Sequence, residues 1–186
     1  MPPDVADRSV QVSKFLARHL RHAPDRIGIE LDAAGWVDVD KLLESAAQAG
    51  FRITREELDA AVAEPTKRRY AYDAGRTRIR AVQGHSVAVE LGYEPLPPPH
   101  ELFHGTHRKA ASRILSEGLR PMGRHHVHLS PDIETARVVG ARRGRPVILR
   151  VDAAAMAADG ARFLRADNGV WLTAVVPPEY LSRIEG

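Results

Sequence analysis

The stretch GRHHVHLS, residues 123–130, packs one arginine and three histidines into the five positions from Arg124 to His128. Read as a strand, it sets His126, His128 and Ser130 on one face and turns Val127 and Leu129 into a core. Zinc is the first chemistry these histidines suggest, with His104 as a third ligand. The surroundings argue against it. Arg124 is adjacent, the motif holds no cysteine or acidic residue, and no carboxylate stands nearby in sequence to orient ligating histidines. Histidine beside arginine suits an anion or a sugar hydroxyl, a use that engages every polar group in the stretch. The expectation is an anion and sugar pocket without a metal.

A second concentration of cations lies upstream. Residues 67–80 carry six bases against the single acid Asp73, and 23 of the 27 basic residues of the chain are arginine. Planar guanidinium groups contact phosphate in a two-pronged way, so local enrichment points to a phosphate-bearing partner. A GC-rich genome accounts for a high arginine total, but not for arginines packed into motifs. The chain has no cysteine, which excludes disulfides and thiolate chemistry. No segment approaches the ~18 apolar residues of a membrane span, and the opening MPPDVADRSV lacks the apolar run of a signal peptide. A soluble cytoplasmic protein, monomeric by default, is expected.

The elements that must position these residues fall into two halves. With 186 residues and 44% hydrophobic content the chain can form one sizeable or two small domains. PLPPP, residues 95–99, reads as a stiff linker, giving domains 1–94 and 100–186. Upstream, Ser9 is placed to cap a helix carrying Val12, Phe15, Leu16 and Leu20 at helical spacing and ending before Pro24. A second helix starts near Asp38, buries Val39, Leu42, Leu43 and Ala46, and stops at Gly50. A third follows the capping box Thr54 to Glu57, with Leu58, Ala61 and Val62 inside. Two alternating runs around Asp73, Ala74 and Gly75 then signal a hairpin. Three short helices and a hairpin suggest a winged-helix-like lobe. Downstream, LFHGT, HVHLS, PVILRVD and GVWLTAVV read as strands. RKAASRILSEG, closed by Gly118, and DIETARVVGAR, with Asp132 near its start, read as helices. The fold class expected is α+β.

Seven strings carry a resemblance. SKFLARHLRHAP, LDAAGWVDVDKLL, KRRY, IRAVQGHS, LFHGT, RHHVHLS and ADNGVWLT, in this order over residues 13–173, resemble the RNA 2′-phosphotransferase family, also called KptA. The resemblance implies a winged-helix-like N-terminal lobe and a C-terminal lobe of the ADP-ribosyltransferase (PARP-like) type. It also implies an RNA partner bearing an internal 2′-phosphate, NAD as co-substrate, and no metal. The implied reaction runs through a 2′-phospho-ADP-ribosylated RNA to 2′-OH RNA and ADP-ribose 1″,2″-cyclic phosphate, as in tRNA splicing and RNA repair.

Carried onto this sequence, the essential Arg-His-Arg-Arg set of the family falls on Arg21, His22, Arg69 and Arg124. Fixed guanidinium groups suit the charge of a phosphoryl transition state, and His22 is the member whose type ordinarily titrates near neutral pH. The resemblance assigns His104, Gly105, Thr106, His128 and Ser130 to NAD. His104 contacts ribose hydroxyls, Gly105 bonds the carboxamide through its backbone, and His128 stands where many relatives of this fold place a stacking tyrosine. Lys14, Arg68, Arg80, Gln83, His85 and Ser86 are expected to present the RNA or the NAD phosphates. Where protein ADP-ribosylating relatives carry a glutamate, Val170 to Leu172 are apolar, which leaves the 2″-hydroxyl available as a nucleophile. Ala17, Tyr70 and Trp171 depart from the common pattern of the family. Two other functions stay open at this point: an ADP-ribosyltransferase that stops at the adduct, and a non-catalytic RNA-binding protein.

Overall fold

The computed structural model of the chain describes residues 5–65 and 68–184; Lys67 of the cationic stretch lies outside them. The chain divides into two compact units, Met1–Gly92 and Tyr93–Gly186, and both mix helices with antiparallel sheet, an α+β protein.

The first unit opens with helix α1 (Val5–Arg21), whose Val12, Leu16 and Leu20 recur on one side and are almost fully buried. It starts four residues before the Ser9 cap expected from sequence. A tertiary contact accounts for the extra turn: Arg8 pairs with Glu57 at 2.7 Å and lies over the Phe51 ring at 4.7 Å. After the short turn Pro24–Ile27 come β1 (Val37–Asp38), α2 (Val39–Gln48) and α3 (Arg55–Ala63). Asp38 caps α2 by accepting from the Lys41 N–H, and Thr54 with Glu57 forms the expected capping box on α3. Strands β2 (Tyr70–Tyr72) and β3 (Arg78–Ala81) form the hairpin, and the sheet order is β1-β3-β2. The Asp73 carboxylate closes its turn by accepting from the main-chain N–H groups of Thr77 and Arg78 at 2.9 and 3.0 Å. Leu42, Leu58 and Ile79 complete the core over α1.

The second unit holds β4 (Glu101–His107), α4 (Arg108–Glu117), β5 (Val127–Leu129), α5 (Ile133–Gly140) and β6 (Pro146–Asp152). These are followed by α6 (Ala153–Ala158), β7 (Leu164–Arg165), β8 (Trp171–Thr173) and β9 (Leu181–Arg183). They make two three-stranded antiparallel sheets, β4-β6-β9 and β5-β8-β7. Among the described residues a single bridge joins the sheets: Phe103 and Ser130 exchange both backbone hydrogen bonds, at 2.9 and 2.7 Å. Leu102, Leu129, Val151, Met156 and Phe163 fill the core. The expected strand GVWLTAVV is shorter than its apolar run, because the chain leaves the sheet after Thr173. Ala174 and Val175 are exposed, and Val176 pairs with Leu119 instead. The start of PLPPP is part of this unit: Pro95 bridges Leu164, and the Leu96 N–H reaches Phe163 O at 2.9 Å. Among the described residues no helix is long and apolar enough to cross a membrane.

Candidate functional site

Helix α1 ends in Leu20-Arg21-His22-Ala23, and its last turn is fastened from inside. His19 is buried and its Nδ1–H donates to Ala23 O at 3.0 Å, while the N–H groups of His22 and Ala23 both reach Arg18 O. The loop after β3 binds the same turn: the Ser86 N–H donates to Arg21 O at 2.9 Å, and Ser86 Oγ lies 2.9 Å from His22 Nδ1. Gly84 makes this approach possible. Its φ is +86°, a conformation side chains rarely adopt, while an added Cβ would come only into ordinary contact with Arg21, at 3.6 Å.

Arg69 completes the corner. It precedes β2, and Arg21 donates from Nη2 to Arg69 O at 3.4 Å and lies over the Tyr70 ring at 5.9 Å. Arg69 in turn donates from Nη1 to Ser13 Oγ at 2.8 Å, and the Tyr70 hydroxyl donates to Ser13 O at 2.6 Å. Burial pushes the Tyr70 hydroxyl pKa up; its bond to Ser13 and the charges of Arg21 and Arg69 work against that rise. Two guanidinium groups and an imidazole thus meet in one hydrogen-bonded knot of the first unit. Such a knot offers fixed N–H donors to a phosphate.

Arg76, Arg78 and Arg80 have different duties. Arg76 pairs with Asp59 at 3.0 Å, and Arg78 pairs with Asp73 at 3.2 Å and Asp32 at 3.3 Å. Arg80 donates from Nη1 to Ala34 O and Leu91 O and stacks over Trp36 at 4.6 Å. Counting one acid in this segment understated its neutralisation, because Asp32 and Asp59 arrive from elsewhere in the chain. Among the residues expected to meet RNA, Lys14, Arg68 and Ser86 are exposed and Gln83 is half-buried. His85 is 4% exposed and packs near Gly35, and Arg80 is occupied with backbone carbonyls, so both support the loops around the knot rather than standing on the surface. Ser13 and His19 were not singled out from the sequence. The available signal was that Ser13 precedes Arg21 by eight residues, and so by about two turns on one face of α1.

In the second unit, His104 lies where β4 and β5 diverge. Its Nδ1 is 3.2 Å from His128 O, and burial depresses its pKa, against the weaker pull of that bond. A carbonyl only accepts, so the proton sits on Nδ1 and Nε2 is presented as an acceptor, suited to a hydroxyl donor. Backbone direction along a strand alternates with period two. Phe103 points its N–H and C=O at Ser130, so Gly105 points its own toward the same edge, where among the described residues β5 no longer pairs with β4. A donor and an acceptor side by side match a carboxamide. The absent side chain of Gly105 has another cause: a Cβ there would lie 1.7 Å from Ala136 O and 2.8 Å from Gly140 N, both on α5. The close approach that requires glycine is made by a helix. Thr106 and Ser130 are buried, and His128 is half-buried on β5.

Arg124 is exposed, in the turn before β5 and four residues from His128. The His125 and His126 rings are 6.5 Å apart, and burial first, then His125, lowers the His126 pKa. Among the described residues no three of His, Cys, Asp and Glu gather to hold a metal ion. Trp171 and Leu172 are buried in β8.

Fold and site together define an α+β protein with a cationic knot in one unit and a hydroxyl-accepting strand edge in the other. The chain belongs to the family described as "RNA 2'-phosphotransferase, Tpt1 / KptA family", which matches residues 7–175. It is 53% identical over 177 residues to the "Probable RNA 2'-phosphotransferase" of Nostoc punctiforme, covering 95% of this chain and 98% of that protein. It is 57% identical over 175 residues to the protein of the same description from Streptomyces coelicolor, covering 94% and 95%. The Agrobacterium fabrum counterpart is 53% identical over 174 residues, covering 94% of each chain.

Proposed function

We propose that this protein is an NAD-dependent RNA 2′-phosphotransferase, with the first unit a winged-helix-like lobe and the second an ADP-ribosyltransferase-like lobe. The observation that supports the reading most is the knot of Arg21, His22 and Arg69 in a chain of this family. In the first step an oxygen of the RNA 2′-phosphate attacks C1″ of the NAD ribose, and the glycosidic bond breaks with its electron pair leaving on nicotinamide. In the second, the 2″-hydroxyl attacks phosphorus and the bond to the RNA 2′-oxygen breaks. The proton lost by the 2″-hydroxyl ends on that 2′-oxygen, giving 2′-OH RNA and ADP-ribose 1″,2″-cyclic phosphate.

The protein's part is positioning and charge. Arg21, Arg69 and Arg124 supply fixed positive charge to the phosphoryl oxygens, most of all in the more crowded second transition state. His22 moves the proton or hydrogen-bonds the phosphate in that step. On the NAD side, His104 accepts from a ribose hydroxyl at Nε2, the Gly105 backbone takes the carboxamide, and His128, Ser130 and Thr106 complete the surround. Exposed Lys14 and Arg68 contribute backbone affinity for RNA. In this reading the 2′-phosphate itself is the recognised feature of the RNA.

The test incubates the protein with NAD and an oligoribonucleotide bearing an internal 2′-phosphate. The expected products are the 2′-OH oligonucleotide, nicotinamide and ADP-ribose 1″,2″-cyclic phosphate. RNA stalled as the ADP-ribosylated adduct would instead make this a transferase that stops after the first step. Unchanged RNA and NAD would leave an RNA-binding protein.

A further inference from the structure

The knot holds a residue that no chemistry in the sequence pointed to. Ser13 sits on α1, half-buried, and receives two independent bonds from the strand side: Arg69 Nη1 to its hydroxyl at 2.8 Å, and the Tyr70 hydroxyl to its main-chain carbonyl at 2.6 Å. The two bonds do different things. Tyr70, 4% exposed, is part of the core, and its bond to a carbonyl fixes β2 against α1 whatever side chain residue 13 carries. The hydroxyl alone reaches the guanidinium.

An arginine side chain has many rotamers, and ordering it costs conformational entropy each time a substrate is met. A donor spent on Ser13 Oγ restrains the guanidinium plane while using one of its five N–H groups. The backbone of residue 69 is fixed as well, since Arg69 O accepts from the Val82 N–H at 3.0 Å and from Arg21. Only the side chain remains to be aimed, and Ser13 aims it.

We infer that Ser13 is the positioning residue for Arg69, and through it for charge stabilisation at phosphorus. The inference rests on the function proposed above, and its consequence is selective. Arg69 serves the second step most, so loss of the Ser13 hydroxyl slows resolution of the adduct more than nicotinamide release.

Three readouts test it on the full-length protein: nicotinamide release, adduct resolution, and affinity for an oligonucleotide with a 2′-phosphate against its 2′-OH counterpart without NAD. Ser13→Ala is expected to slow adduct resolution roughly tenfold, the loss typical of one hydrogen bond to a charged group. Nicotinamide release stays within about twofold, and preference for the phosphorylated oligonucleotide falls by a similar tenfold. Ser13→Thr restores both while thermal stability stays level, a pattern a merely structural role would not give. Equal slowing of both steps, unchanged phosphate preference, or failure of threonine to rescue would each overturn the inference. If the unaltered protein shows no preference for the 2′-phosphate, the functional reading falls and this inference with it; normal turnover with an unresponsive Ser13→Ala sinks the inference alone.

Discussion

Gly105→Ala separates two reasons for a glycine in the HGT motif, and the structure fixes the size of the effect. The backbone of β4 is ordinary strand at this position, so alanine is not refused by its φ; it is refused by α5. An added Cβ would lie 1.7 Å from Ala136 O, whereas ordinary contact begins at 3.4 Å, leaving 3.4 − 1.7 = 1.7 Å to be found. The three nearest atoms all belong to the α5 backbone, so no rotamer change can supply that distance. Lifting the helix away from β4 would also undo a second close approach, at Gly140, where an added Cβ would lie 3.0 Å from Thr106 O. Overpacking of this kind costs about 1–3 kcal/mol and sometimes more, and the melting temperature of a chain this size falls roughly 2–4 °C for each kcal/mol. The melting temperature followed by circular dichroism, with no NAD present, should therefore drop by about 2–12 °C. Gly140→Ala, with nearest distances of 3.0 to 3.1 Å, should lose clearly less. An unchanged melting temperature for Gly105→Ala, with loss confined to NAD affinity, would refute the packing argument and leave the glycine to the ligand alone.

Three further outcomes follow from the same geometry. Arg69→Ala or Arg124→Ala should let the adduct accumulate at least tenfold over the unaltered protein, as expected when a developing charge loses a fixed partner, read by gel separation of adduct from product RNA; equal loss of nicotinamide release would contradict this division of steps. Burial holds the His104 pKa below its ordinary 6.5, so below that pH the unfolded chain binds a proton that the folded chain resists, and stability is full above 6.5 and falls as pH drops. His104→Gln should flatten the decline in melting temperature between about pH 6.5 and 5, His126 retaining a share of it, and an unaltered slope would count against the neutral tautomer. Ser86→Ala removes the oxygen 2.9 Å from His22 Nδ1 while keeping the main-chain bond to Arg21 O, and should slow turnover roughly fivefold with RNA affinity intact; weaker RNA binding at unchanged turnover would make Ser86 an RNA contact, as its place in IRAVQGHS suggested.

Much of the fold was legible because its signals are local. Apolar spacing marked α1, Thr54 and Glu57 marked the start of α3, and Asp73 marked the hairpin. What was not legible depends on distant partners. Helix α1 begins before Ser9 because Glu57, 49 residues further along from Arg8, holds its first turn. Strands β1, β7 and β9 have only two or three residues each, too few for alternation to show, and α6 is an alanine run whose only punctuation is the Asp152 cap.

The site divides along the same line. The family resemblance pointed to Arg21, His22 and Arg69, and hydrogen bonds link the segments that carry these three. Local charge could not say which arginines of residues 67–80 were spoken for, since Asp59 and Asp32 reach Arg76 and Arg78 only through tertiary structure. The arginines that hold the hairpin are bound to carboxylates or wedged against Trp36 and carbonyl groups. Arg69 instead rests on a neutral hydroxyl, which orients a guanidinium without cancelling its charge. Under the proposed function a cation that acts on a phosphate must keep its field, so a carboxylate partner, as at Arg76 and Arg78, marks a guanidinium as neutralised, and that partner is what a linear count of charges leaves out.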